Sequence, residues 1–130
     1  MLDTEPCDTT EPEGVLMPIN LQGTGAAVPT RLKGRNNYSL TRTSAGVIKV
    51  SFNDDPGPTF MGIAGFAFGD PTATNVLGWS VATGAYTAPN KAVPASLTFT
   101  IGNAANAAAD LAATSTLTLL LAFKRSDTTY

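Results

Sequence analysis

The stretch "SLTFTIGN", residues 96–103, declares its conformation before anything else in the chain does. Leu97, Phe99 and Ile101 alternate with Thr98 and Thr100, a period of two that fits a half-buried strand and no helix. The same period returns in "STLTLLLAFKR" (115–125), where Leu117, Leu119, Leu121 and Phe123 point one way and Thr116, Thr118 and Lys124 the other. In "GVIKVSFND" (46–54), Ile48, Val50 and Phe52 alternate with Lys49, Ser51 and Asn53. "NVLGWSVATG" (75–84) sets Leu77, Trp79 and Val81 against Gly78, Ser80 and Ala82. "FMGIAGFAFGD" (60–70) places Phe60, Gly62, Ala64, Phe66 and Phe68 on one side and Met61, Ile63, Gly65 and Ala67 on the other, which predicts a strand covered on both faces. Pattern alone therefore predicts five or six strands.

The connections agree with strands. "DDPGP" (54–58), "GDPTATN" (69–75) and "APNKAVP" (88–94) supply prolines that forbid helix and glycine or asparagine for tight turns. Only "NAANAAADLAA" (103–113) favours helix by alanine content, and it lacks an apolar face. It reads as an omega-like loop or a single helical turn, with Asp110 as its cap. Short strands at regular spacing predict an all-β domain, an antiparallel sandwich of the jelly-roll kind, over residues 36–130. Residues 1–35 are predicted to be an extended arm, because Pro6, Pro12, Pro18 and Pro29 are too closely spaced for a helix.

A chain of 130 residues holds one such domain and no more. With 14% charged residues and a net charge of −2, it has no general affinity for polyanions, so no nucleic-acid partner is expected. The N-terminal stretch carries five acids, Asp3, Glu5, Asp8, Glu11 and Glu13, without an apolar run, so no signal peptide is expected there. No run approaches the length of a membrane span, and no membrane partner is expected.

The chain contains no histidine and one cysteine, Cys7. A Ser-His-Asp triad, a Cys-His dyad, imidazole metal ligation and a structural zinc site are thereby excluded. Asp54 and Asp55 are neighbours on a turn and point apart, so Asx-turn geometry accounts for them better than paired catalytic carboxylates do. "GTGAAV" (23–28) lacks the third glycine of a dinucleotide fingerprint, and Pro29 stops the helix such a motif needs. No catalytic residue, cofactor or metal is expected, and the chain is read as a non-enzyme.

What remains is a charge arrangement suited to contact. The five acids come first, and a basic patch of Arg31, Lys33, Arg35 and Arg42 follows. A solvated acidic tail ahead of a basic turn would explain this, as would an arm that reaches a neighbouring subunit. The contact candidates are Arg31, Lys33, Arg35, Arg42, Glu11 and Glu13. Within "RTSAGVIKVSFND" (42–54), Thr43, Ser44 and Gly46 lead into a strand. Arg42 is left over, a planar donor suited to clamp a carboxylate or carbonyl at a subunit contact.

"NNYSLTRTSAGVIKVSFND" (36–54), the "AADLAA" segment (108–113) and the terminal "LLLAFKRSDTTY" (119–130) together resemble a group of small tailed-phage virion proteins. In that group a phrase close to "SVARTSAGLFTVTF" precedes a "DLAA" segment and a last strand with an Arg/Asn-Ser tail. The resemblance spans about residues 36–126, and Arg42 to Gly46 is its most specific piece. The Lys124-Arg125 pair departs from it, and residues 1–35 match nothing in it. It implies a structural role as a head decoration or cement protein on the outer capsid surface of the virion, assembled in the host cytoplasm. The implied partners are the major capsid protein and further copies of the chain, as a homotrimer. The hydroxyls of Thr98, Thr100, Thr116 and Thr118 would suit such packing. The alternative is a tail-fibre, baseplate, head-fibre or spike component that binds host glycan, for which exposed aromatics near residues 84–95, above all Tyr86, would be the mark.

Overall fold

The computed structural model describes residues 14–32, 38–53, 56–57, 59–69, 78–90 and 92–124. Among them lie eight strands and no helix: β1 (Gly14–Gln22), β2 (Thr30–Arg31), β3 (Tyr38–Ser44), β4 (Val47–Phe52), β5 (Thr59–Gly69), β6 (Ser80–Thr87), β7 (Ser96–Gly102) and β8 (Thr116–Lys124). They form two antiparallel four-stranded sheets, the first ordered β2-β1-β8-β5 and the second β3-β4-β7-β6. The all-β expectation is met.

Both sheets feed one apolar core. Ile19 and Leu21 from β1 and Leu117, Leu119, Leu121 and Phe123 from β8 are fully buried with Ile48, Val50 and Phe52 from β4 and Leu97, Phe99 and Ile101 from β7. Phe52 meets Phe123 edge to face, with ring centroids 5.5 Å apart, so the two sheets touch through aromatic side chains. The alternations in β4, β7 and β8 fall as their sequence patterns require, apolar residues inward and Thr, Ser and Lys outward.

Four expectations need correction. Residues 14–22, assigned to the extended arm, form β1, and Met17, Ile19 and Leu21 are buried in the core, so the boundary at residue 36 does not hold. Pro18 is tolerated because, among the described residues, β1 pairs along its length with β8 but with β2 only at Leu21 and Gln22. A strand proline needs a flank with no ladder bond to donate, and β1 has one. Residues 1–13 of the expected arm lie outside the described residues.

Residues 38–44, of which the sequence marks only Thr43 and Ser44, as a lead into a strand, form strand β3. Thr43 to Gly46 close the β3–β4 hairpin, with a bulge between Arg42 and Ser44 and Gly46 at a φ of 74°. Strand β5 is not covered on both faces, since Met61 and Phe66 are 63% and 48% exposed. Bulges between Phe60 and Gly62 and between Ile63 and Gly65 reset its alternation, so Phe60, Ile63 and Phe68 pack on the core together. The four threonines do not share a surface. Thr98 and Thr100 lie on the outer face of the second sheet and Thr116 and Thr118 on that of the first.

The 103–113 segment is a loop, as expected. Asn103 shapes it by accepting from the backbone N–H groups of Ala105 (2.9 Å) and Ala107 (3.1 Å), and Leu111 anchors it in the core.

Candidate functional site

Of the six contact candidates, the structure describes Arg31 and Arg42; Glu11, Glu13, Lys33 and Arg35 lie outside the described residues. Both described arginines are engaged within the chain. Arg31, on β2, donates through Nη1 to the Tyr38 carbonyl, and its guanidinium lies 5.5 Å from the centre of the Tyr38 ring. That ring is buried, and its hydroxyl donates to the Asn20 carbonyl and accepts from the Asn20 N–H, each at 3.2 Å. Tyr38 thereby ties β3 of one sheet to β1 of the other.

Arg42 does clamp a carboxylate, and the carboxylate belongs to its own chain. The strand places Arg42 at the bulge beside the hairpin turn, facing the loop that carries Asp110. Arg42 Nε donates to Asp110 Oδ1 and Nη2 to Oδ2, both at 2.8 Å. This is the planar, two-point match that guanidinium makes with carboxylate. Asp110 Oδ1 also accepts the Gly46 N–H at 3.0 Å. The hydrogen bond from Arg42 holds the Asp110 carboxyl below its ordinary range, assisted by the Gly46 N–H, while burial opposes both. The same bond raises the already high value of Arg42.

Gly46 is the residue this corner cannot exchange. Its carbonyl accepts from the Ile101 N–H at 2.8 Å, and the Ala109 N–H donates to the Ile101 carbonyl at 3.0 Å. A Cβ at position 46 would lie 2.5 Å from the Ala109 nitrogen and 2.8 Å from the Ile101 oxygen. Close approach and positive φ together demand glycine.

A second glycine fastens the far end of the same loop. The Gly23 N–H donates to the Ser115 carbonyl at 2.7 Å, and the Thr114 N–H donates to the Gly23 carbonyl at 3.1 Å. A Cβ there would meet Leu111 and Ala112 within 2.8 Å. The first glycine of "GTGAAV" thus serves close packing against the 111–115 segment, whereas the second, Gly25, serves a positive φ of 76° in open space.

The remaining candidates resolve as packing. Tyr86 is half buried, with its hydroxyl donating to the Gly57 carbonyl at 2.6 Å and its ring 5.5 Å from that of Phe123. Trp79 and Phe68 form an edge-to-face pair at 6.2 Å. Among the described residues no group of three acids or cysteines could hold a metal ion. No helix of the described residues is long and apolar enough to cross a membrane. Sequence reasoning assigned Asp110 only to a cap; that it is the one acid between Lys91 and Lys124 was the available signal for an ion pair. Compared with known proteins, the chain matches no family, no curated protein and no solved structure.

Proposed function

We propose that this chain is a structural protein of a tailed-phage particle, a decoration or cement protein that binds the outer surface of the head through the major capsid protein. The observation that carries the reading is the Arg42–Asp110 clamp. It joins Arg42 to Gly46 with Asp110 to Ala113, two of the three segments on which the resemblance rests, into one corner of the fold. Residues 64 to 68 positions apart in sequence act there as a single unit. In this reading the two sheets form a β-sandwich with jelly-roll-like wrapping, supported by the first described strand lying beside the last. The acidic segment before β1 is the part that reaches the capsid, and copies assemble on it as a homo-oligomer. A threefold count is carried by the resemblance alone, since the threonines that would have lined such an axis lie on opposite faces.

The test is the copy number of the protein in purified particles, from quantified protein bands and particle imaging. Cement predicts copies that scale with the number of capsomers. A handful per particle would move the protein to the tail or a vertex, and absence from particles would sink the virion reading. A chain lacking residues 1–13 should keep its fold and lose attachment to undecorated shells. The truncation must stop before Gly14, where β1 begins.

A further inference from the structure

The loop from β7 to β8 is built unevenly. Its first half, Asn103 to Asp110, is fixed from several sides. The Asn103 side chain accepts from the Ala105 and Ala107 N–H groups, the Ala109 N–H donates to the Ile101 carbonyl, and Arg42 and the Gly46 N–H hold Asp110. Asn106 there has a φ of 61°, which asparagine accepts.

The second half, Leu111 to Ser115, carries two unfavourable features in consecutive residues. Thr114 stands at a φ of 70°, in the left-handed region that a β-branched residue avoids most strongly. Ser115 is fully buried, and among the described residues its hydroxyl is the one buried side-chain group without a hydrogen-bond partner. Left-handed backbone at a non-glycine residue favours any equilibrium that releases it by about five- to thirtyfold. A buried hydroxyl without a partner does so by about fivefold or more.

Against this stand the contacts that hold the segment down. Leu111, 2% exposed, is packed in the core, and a Cβ on Gly23 would fall 2.6 Å from its own Cβ. The Gly23 N–H donates to the Ser115 carbonyl, the Thr114 N–H to the Gly23 carbonyl and the Ser115 N–H to the Ala112 carbonyl, at 2.7, 3.1 and 3.1 Å. Both ends of the segment are posts. Asp110 sits in its clamp, and Thr116 lies in β8, which pairs with β1 and β5 at once.

We propose that residues 111–115 form a spring-loaded latch that swings out as a unit between Asp110 and Thr116 while both sheets stay folded. In opening, Leu111 leaves the core, Thr114 falls back to negative φ and the Ser115 hydroxyl reaches water. Relief at Thr114 and Ser115 offsets part of the cost of exposing Leu111, so this opening is more frequent than unfolding of the whole chain. The lifted segment presents Leu111 and uncovers the slot beside Gly23, so a partner with an apolar pocket at this end of the sandwich selects the open state. The inference concerns the chain alone and does not depend on capsid attachment, which particle copy number tests separately.

The experiment is native-state hydrogen exchange of the full chain, followed by NMR in urea well below the unfolding transition. The Gly23, Thr114 and Ser115 amides should open together and be at least tenfold less protected than those of Ala109 and Ile101, which mark the fixed half and the core. Thr114→Asn supplies a residue that tolerates left-handed φ, and Ser115→Ala removes the unpartnered hydroxyl. Each should slow exchange at Gly23 about fivefold and raise the melting temperature, whereas most substitutions destabilise. Leu111→Ala should speed exchange at Gly23 at least tenfold. If the three amides were protected as strongly as Ala109 and Ile101, the segment would open only with the whole fold and the proposal would be wrong. Exchange at Gly23 that is unchanged or faster in Thr114→Asn or in Ser115→Ala would also overturn it, and these two variants decide the matter even if Leu111→Ala fails to fold. A folded Leu111→Ala that leaves the Gly23 rate unaltered would overturn it too.

Discussion

The two sheets share one core and present opposite characters to the outside. The second sheet turns outward Ser39, Thr41, Lys49, Ser51, Ser96, Thr98 and Thr100, a hydroxyl surface with a cation in it. The first turns outward Leu16, Pro18, Leu120 and Ala122 in its middle rows. Inner faces of both are equally apolar, because both must exclude water from the same interior. Nothing in core formation requires the outer faces to differ. The difference teaches that inner patterning encodes the fold, while outer patterning records what each face meets once folded.

The largest expected effect tests the inner–outer contrast within one strand. Leu119 and Leu120 are adjacent in β8, the first fully buried and the second on the outer face. Leu119→Ala should cost about 2–5 kcal/mol through lost burial and a residual cavity. Leu120→Ala should stay within about 1 kcal/mol, measured at concentrations where the chain is monomeric. Equal losses by urea unfolding would erase the distinction between the two faces.

Next comes a contrast of glycines. Gly46→Ala should cost about 1–3 kcal/mol from its φ alone, and more because the new Cβ would lie 2.5 Å from the Ala109 nitrogen. Gly65→Ala, with open space around its Cβ, should be neutral or stabilise the monomer by about 0.4–1 kcal/mol. Similar melting shifts in the two variants would show that the corner around Asp110 is not tightly built.

The smallest effect concerns acid. Asp110 titrates below its ordinary value in the fold, so its contribution is complete above the unfolded value of about 3.9. It is lost as pH falls through the folded value. Asp110→Asn should lower the melting temperature above pH 5 and flatten its decline below pH 4. Parallel melting curves for the two proteins across that range would remove the clamp from the pH dependence.

How legible the fold was depended on what each strand had to satisfy. β7 and β8 were readable because each lies between two neighbours with one face buried, which enforces strict alternation. β1 alternates equally well through Met17, Ile19 and Leu21, but Pro18 and the prolines around it suggested an arm. β3 was hidden because "YSLTRTS" offers only Tyr38 and Leu40 as apolar markers at the edge of its sheet. β5 misled because two bulges shift its inward set to Phe60, Ile63 and Phe68, a spacing that period-two reading cannot produce. At the candidate site, the role of Arg42 as a carboxylate clamp was legible from its chemistry. Its partner was not, since a loop reaching back across 68 residues leaves no local trace.

The bulges of β5 have a further consequence, for solubility. Among the described residues this strand is paired only with β8, it spans eleven residues, and it carries no charge to repel another chain. A regular edge of that composition would template strand addition without limit. Two bulges within six residues, Phe60 to Gly65, break the even spacing of its free donors and acceptors, so an incoming strand cannot stay in register. Growth at this flank is thereby disfavoured, even though the edge is long and apolar.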